Sequence, residues 1–270
     1  NTDRLKRMFN DEYEVKNELY AGDISFIGSM YNEKHNLYDR LCGVNDYTKG
    51  YLDAIMKVQR SIYGYFFLED MLKGDVLDEM MRVCPVKPNE DGVETVQYVY
   101  ANYFLARRMA TDERTDILSR VGRELGRENK INLYTPDASV RFINVNNKGT
   151  VDYYNEMPYV FRNSRINLNI TLRSIKSGIP LRCMDICGAG GFLLSNYQAD
   201  LYDVFAPGED MVIYDSIDDL MNKCKYYLSH DAERRQIAQN GFGKIEEKHT
   251  YDVRFEEIFR ECVKSSVTGN

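Results

Sequence analysis

The stretch INLNITLRSIKSGIPLRCMDICGAGGFLLS, residues 166–195, decides the fold. It opens on a short apolar run, INLNIT, and crosses a loop rich in cations. It then enters an apolar-periodic segment, IPLRCMDICGA. Gly190 and Gly191 turn the chain into a second apolar run, GFLLS. A strand, a helix and a strand in this order predict a βαβ unit, because parallel strands need a crossover connection. Pro180 suits the first turn of the helix, where its missing N–H has no intrahelical partner. The small residues CGAGG let that helix pack closely against the following strand.

The same alternation extends in both directions. KINLYT (130–135), VRFINV (140–145) and MVIY (211–214) read as further strands, and DISFIGS (23–29) as the first convincing one. YNEMPYVFRNS, ADLYDVF and SIDDLMNKCKYYLSH read as helices between them, the last opened by Ser216 and Asp219 in a capping-box arrangement. The predicted class is α/β, a Rossmann-like parallel sheet with helices on both faces. MYNEKHNLYDRL starts helically after the first strand. Leu52, Ile55, Val58, Ile62 and Phe66 keep a 3.6-residue period, as do Ile117, Val121 and Leu125. CPVKPNEDG (84–92) breaks this block, and residues 47–127 as a whole exceed an ordinary crossover and read as a helical insertion. Residues 1–20 read as a lead-in or linker, 21–262 as the main domain and 263–270 as a tail. Near the end, Asp231 is the expected N-cap of one helix and NGFG (240–243) its C-cap. Thr250 restarts a helix with Phe255, Ile258, Phe259 and Cys262 on one face.

The 270 residues are 43% hydrophobic and 29% charged, with a net charge of −7. Those values fit a globular protein and argue against general nucleic-acid binding, while allowing a local basic pocket. No apolar run approaches the ~18 residues of a membrane span, and no signal-peptide pattern opens the chain, so a cytoplasmic location is expected. Cys183 and Cys187 share a helix face. With His35, His230 and His249 all distant in sequence, these thiols read as small core side chains, and no metal site is predicted.

Arg173, Lys176 and Arg182 crowd the start of the helix that follows INLNIT. A helix start carries partial positive charge, so each cation there costs ~0.3–1 kcal/mol. In a parallel sheet, ligands bind outside the carboxyl ends of strands, where loops enter helix N-termini. Gly178 would let a ligand approach the backbone, and the amides of Ile179, Leu181 and Arg182 would face it. Together with the three cations they predict a phosphate or pyrophosphate site. Asp185, a lone carboxylate two turns into this apolar helix, is placed to accept ribose hydroxyls. The ordinary alternatives are a solvated surface for the cations and a satisfied aspartate at 185.

The residues from about Asn163 to Phe259 resemble the C-terminal signature of GT-B glycosyltransferases, in the branch similar to spore-maturation and spore-coat glycosyltransferase-like proteins. DISFIGSMYNEKHNLYDRL resembles the strand and helix that open the C-terminal half of such enzymes. The resemblance implies a donor-binding half that transfers a sugar from a nucleotide-diphosphate sugar, UDP-sugar favoured, to an acceptor hydroxyl. The acceptor would be a glycan, a protein or a cell-surface or spore component. The resemblance further implies a metal-independent reaction with no cofactor, and an N-terminal acceptor domain that this chain lacks. Asp185 falls at the ribose position and Gly190 at the closing glycine, with Gly191 beside it. Ser177 stands where the family carries its first acidic residue, and Gly178 follows it. Gly28 and Ser29 would approach the phosphates from the opposite side, and Tyr134 would face the base. Arg173 and Arg182 would stabilise the leaving diphosphate, and His35 is the histidine nearest the first strand's loop. A nucleotide-sugar epimerase, a non-catalytic nucleotide-sugar or protein-binding module, and a general phosphate-binding α/β protein are the rival readings.

Overall fold

A computed structural model describes residues 5, 8, 9, 13–32, 36–89, 92 and 94–268. His35 lies outside the described residues. A helix, α1 (Tyr13–Tyr20), leads into β1 (Gly22–Ile27). The remaining strands are β2 (Ile131–Tyr134), β3 (Val145–Asn147), β4 (Ser164–Asn169), β5 (Leu193–Asn196) and β6 (Val212–Tyr214). They form one sheet in the order β3-β2-β1-β4-β5-β6, and every neighbouring pair is parallel. Chain order reverses direction between β1 and β4, which opens a crevice at their carboxyl ends.

The strands alternate between two cores, as a half-buried pleat requires. Ile24, Phe26, Ile131, Leu133, Ile166 and Leu168 face one layer, against Ile117, Val121 and Leu125 of α6 (Ala106–Leu125) and Leu220 of α10 (Ile217–Ser229). Ile27, Tyr134, Leu193 and Ile213 face the other, against α7 (Met157–Asn163) and α8 (Leu181–Gly188). β4 and β5 also carry buried polar side chains. Asn167 accepts a hydrogen bond from Ser25 Oγ (2.9 Å), and Asn169 donates to Ser195 Oγ (2.9 Å). Asn196 joins the strand ends, accepting from Thr171 N–H (2.8 Å) and donating to its carbonyl (3.0 Å). Each of these bonds fixes which residues of adjacent strands face one another, because an unpaired buried amide costs more than the bond returns.

Between β1 and β2 lie a 3₁₀ turn (Leu37–Leu41) and α2 (Asp46–Arg60), α3 (Leu68–Met71), α4 (Gly74–Val83) and α5 (Val96–Val99). A π-helical turn, Tyr100–Leu105, then runs into α6. These helices bury a third core that includes Leu52, Leu68, Met80 and Tyr100. α6 belongs to both regions: Ala106 and Met109 pack in the helical core, whereas Ile117 to Leu125 pack on the sheet. The chain ends with α9 (Leu201–Val204), then α10, α11 (Asp231–Lys248) and α12 (Tyr251–Thr268). Among the described residues, no helix is long and apolar enough to cross a membrane.

Three local expectations change. The strand expected at 140–145 lies at Val145–Asn147, because Asn144 adopts φ 55° and ends the irregular segment before it. NGFG does not cap a helix but sits inside α11. A Cβ on Gly241 would come within 2.4 Å of the Asp210 carbonyl, so the glycine serves close packing. Asp231 is the first residue of α11, and His230 is its cap.

Gly122 brings α6 against the chain entering β3; a Cβ there would lie 2.2 Å from the Ile143 carbonyl. Gly122→Ala should lower stability by ~1–3 kcal/mol, as overpacking of a close contact does. Urea unfolding would show a lower midpoint at unchanged slope.

Candidate functional site

The crevice between β1 and β4 is built around two consecutive residues of α6. Arg114, 7% exposed, reaches both strand ends: Nη1 donates to the Ser29 carbonyl and Nη2 to the Ile170 carbonyl (2.6 Å). Its guanidinium also lies over the Tyr31 ring, 4.5 Å from the centroid. Glu113, 3% exposed, pairs with Arg173 in the loop after β4 (2.5 Å). Arg173 donates to the Arg60 carbonyl (3.2 Å), its guanidinium stacks over Tyr63, and its Nε and Nη1 are buried without a partner. Burial pushes the Glu113 carboxyl up, and Arg173 pulls it back down.

The loop after β4 forms one wall of a cavity of about 350 Å³. Arg173, Lys176, Ser177 and Gly178 line it from that side, with Tyr197 and Asp200 from the loop after β5. The opposite wall is the 62–66 loop and Asp70 from the helical region. Buried Gln59 holds that loop in place, donating to the Tyr65 carbonyl (2.8 Å) and accepting from Phe67 N–H (2.8 Å). Gly64, at φ +77°, lets the loop pass Tyr197, whose ring would lie 2.7 Å from a Cβ. Lys176 pairs with Glu69 (2.8 Å), and the Gly178 N–H donates to Asp200 (2.6 Å). Gly178 adopts φ +90° with open space on its Cβ side, so the backbone conformation itself requires glycine.

α8 begins at Leu181, one residue after Pro180, which acts as its N-cap and offers no side-chain acceptor to the first amides. Arg182 and Asp185 point toward the α7 side. Arg182 meets Met157 Sδ and lies over the Phe161 ring at 5.3 Å. Asp185 accepts a hydrogen bond from Tyr153 OH (2.9 Å) in the loop before α7. Burial raises the Asp185 pKa against the lowering effects of Tyr153 and Arg182, and burial lowers that of Arg182.

The structure thus divides the sequence-predicted residues. Arg173, Lys176, Ser177 and Gly178 share the cavity, whereas Arg182 and Asp185 form a second group with Tyr153. Gly28 and Ser29 follow directly on β1, Gly28 N–H donating to the Tyr134 carbonyl (3.0 Å) and Ser29 Oγ accepting from Tyr31 N–H (2.9 Å). Leu181 is exposed at the α8 start, and Ile179 packs against the core. Tyr134 does not face the crevice: its ring is buried in the core, and burial pushes its hydroxyl up to about 12. Gly190 and Gly191 lie at the opposite end of α8, shaping the turn into β5. A Cβ on Gly191 would lie 2.6 Å from the Phe161 carbonyl. Glu113, Arg114 and Tyr153 escaped the sequence reading. Arg114 had a legible signal, since it falls on the apolar stripe of α6 four residues after Ala110 and three before Ile117.

Residues 107–260 match the family model described as "Glycosyl transferase-like". That is more than half of the chain. The chain belongs to this glycosyl transferase-like family. The matched region starts within the α6 crossover helix and runs through β2 to β6. No curated protein matches the chain. Among solved structures, it is similar to TarM at 15% identity and TM-score 0.44, over 54% of this chain and 32% of that one. It is also similar to sucrose-phosphate synthase from Thermosynechococcus elongatus at 13% identity and TM-score 0.44, over 57% of this chain and 44% of that one. The chain therefore spans less than half the length of either.

In this glycosyl transferase-like chain, Glu113 and Arg173 form a buried pair that holds the β4 loop against α6. Removing one partner from such a pair costs ~3–5 kcal/mol, because the other charge is left buried alone. Glu113→Ala should show a loss of that size in urea unfolding. Glu113→Met combined with Arg173→Met should recover most of it.

Proposed function

We propose that this chain is the donor-binding half of a GT-B glycosyltransferase that takes a nucleotide-diphosphate sugar. One observation carries the reading. At the switch point two buried guanidiniums, Arg114 and Arg173, meet one buried carboxylate, Glu113, in a chain whose net charge is −7. A buried excess of positive charge at strand carboxyl ends calls for an anionic ligand. The uncapped amides at the α8 start add to the same field.

In this reading the diphosphate lies between the β1 loop, with Gly28 and Ser29, and the β4 loop, with Lys176, Ser177 and Gly178. The amides of Ile179 and Leu181 face it. Asp185, held by Tyr153, accepts the ribose hydroxyls, and the sugar occupies the cavity beside Ser177. An acceptor hydroxyl attacks the anomeric carbon, the bond to the diphosphate oxygen breaks, and negative charge grows on the leaving group. Arg173 and Arg182 offset that charge from fixed positions, which lowers the barrier without reorganisation at the moment of reaction. These guanidiniums supply the charge that a divalent ion supplies in metal-dependent transferases, so the reading requires no metal. In this reading a separate acceptor-binding domain presents the attacking hydroxyl.

A non-catalytic nucleotide-sugar-binding module is the second reading. It is favoured by Ser177, which lacks an acid function, and by the internal pairing of Lys176 with Glu69 and Gly178 with Asp200.

Calorimetric titration with UDP, GDP, ADP and UDP-glucose, without added metal, tests both readings. Selective binding of one diphosphate is expected. Asp185→Ala should weaken it about 10-fold or more, since hydrogen bonds to a charged group contribute ~1.5–3 kcal/mol. Binding that is indifferent to Asp185, or no binding at all, would overturn the proposal. Slow hydrolysis or transfer of the bound sugar would separate an enzyme from a binding module.

A further inference from the structure

The cavity beside Ser177 carries charges of both signs, and only one sign is matched. Arg173 and Lys176 are the cations of its lining, and each has a carboxylate of its own from outside that lining, Glu113 at 2.5 Å and Glu69 at 2.8 Å. Asp70 and Asp200 are the acids of the lining. Among the described residues neither makes an ion pair. Asp70 accepts from Tyr65 OH (3.2 Å), and Asp200 accepts from the Gly178 N–H (2.6 Å). Once the partners are counted the two cations cancel, and the two aspartates leave the cavity net acidic. A carboxylate has about four acceptor positions, so both keep capacity for further donors.

A second observation lies in the same wall. Gln198, in the loop after β5, is 8% exposed and lines the cavity, yet its Oε1 is buried without a hydrogen-bond partner. A buried acceptor left unpaired destabilises the free protein, and a donor brought by a ligand removes that cost. Asn196 beside it has no such capacity to offer, since its amide is bonded at both ends to the Thr171 backbone. Phe66 and Tyr197 add apolar rings to the lining. The unpartnered donors are Arg173 Nε and Nη1, on a guanidinium covered by the Tyr63 ring, and these serve the leaving diphosphate.

We propose that this cavity selects an uncharged hexose as the transferred group and rejects a uronic acid, with Asp70, Asp200 and Gln198 as the selecting residues. The inference rests on the donor reading, which puts the sugar here. Sugar hydroxyls donate to all three acceptors, and the C–H faces of the ring pack on aromatic side chains. The carboxylate of a uronate, ionised near neutral pH, has no proton to give any of them and is repelled by both aspartates.

Calorimetric titration of the full chain near neutral pH with two matched series tests it: UDP, UDP-glucose and UDP-glucuronic acid, and GDP, GDP-mannose and GDP-mannuronic acid. In the series whose diphosphate binds, the uronate should bind about 10-fold or more weakly than the neutral sugar nucleotide, as one charge among two like charges does. Asp70→Asn combined with Asp200→Asn should remove most of that ratio. Asparagine keeps an oxygen for Tyr65 OH and for the Gly178 N–H, and any change in the affinity of the diphosphate itself cancels in the ratio. Gln198→Met should weaken the neutral sugar nucleotide relative to the bare diphosphate without lowering the melting temperature of the free chain. A uronate bound as tightly as the neutral sugar, or more tightly through Arg173, would overturn the inference while the donor reading stands, as would a ratio that persists in the double variant. Failure of both UDP and GDP to bind would overturn the donor reading and the inference with it.

Discussion

Arg114 lies between the carboxyl ends of β1 and β4 and donates to the Ser29 and Ile170 carbonyls, just beyond each strand. Everything at the crevice depends on that bridge. Strand ends at a switch point diverge, and their last carbonyls have no ladder partner, so an unbridged end would leave buried acceptors unsatisfied. A guanidinium satisfies both at once, at the cost of burying a charge. The residue beside it, Glu113, secures the β4 loop through Arg173, and Arg173 in turn stacks on Tyr63 of the helical region. One turn of one helix therefore fixes the β1 loop, the β4 loop and the 62–66 loop relative to one another.

The long helical block between β1 and β2 acquires a physical role from the same arrangement. A loop pinned by buried Gln59 forms one wall of the cavity whose other wall is the β4 loop. Lys176 and Glu69 close the rim between them. The block is thus part of the cavity's architecture as well as an elaboration of the fold. On the far side of α8, Tyr153 and Asp185 define a separate polar point, so the helix start has one group of contacts on each flank.

Much of this was legible in the sequence, for identifiable reasons. The strands at 23–29, 130–135, 166–171 and 211–214 announced themselves because each is short, apolar and followed by turn residues. The helix after SIDD declared its own start, and Ser216 does accept a hydrogen bond from Asp219 N–H (3.1 Å). VRFINV misled because its apolar residues serve a loop laid over α6: Val140 and Phe142 pack on the core from irregular backbone. NGFG misled because a glycine suits both a helix end and a close helix contact, and only the neighbour across the gap, Asp210, decides between them. At the site, the cations after β4 were visible but their partners were not. Glu113 is sixty residues before Arg173, and Glu69 more than a hundred before Lys176. Tyr134 shows the limit of position alone, since the end of a strand does not reveal which face its ring takes.

The central claim is that a diphosphate binds across the β1–β4 switch point. Hydrogen–deuterium exchange of the chain with and without UDP tests it most directly, with GDP as the parallel ligand. The account predicts slower exchange in 28–32 and 172–182 on binding, together with the 151–156 segment that carries Tyr153. The strand ends held by Arg114 should already be protected without ligand. Protection confined to the 162–165 and 231–242 segments, or no change anywhere at saturating nucleotide, would contradict the account.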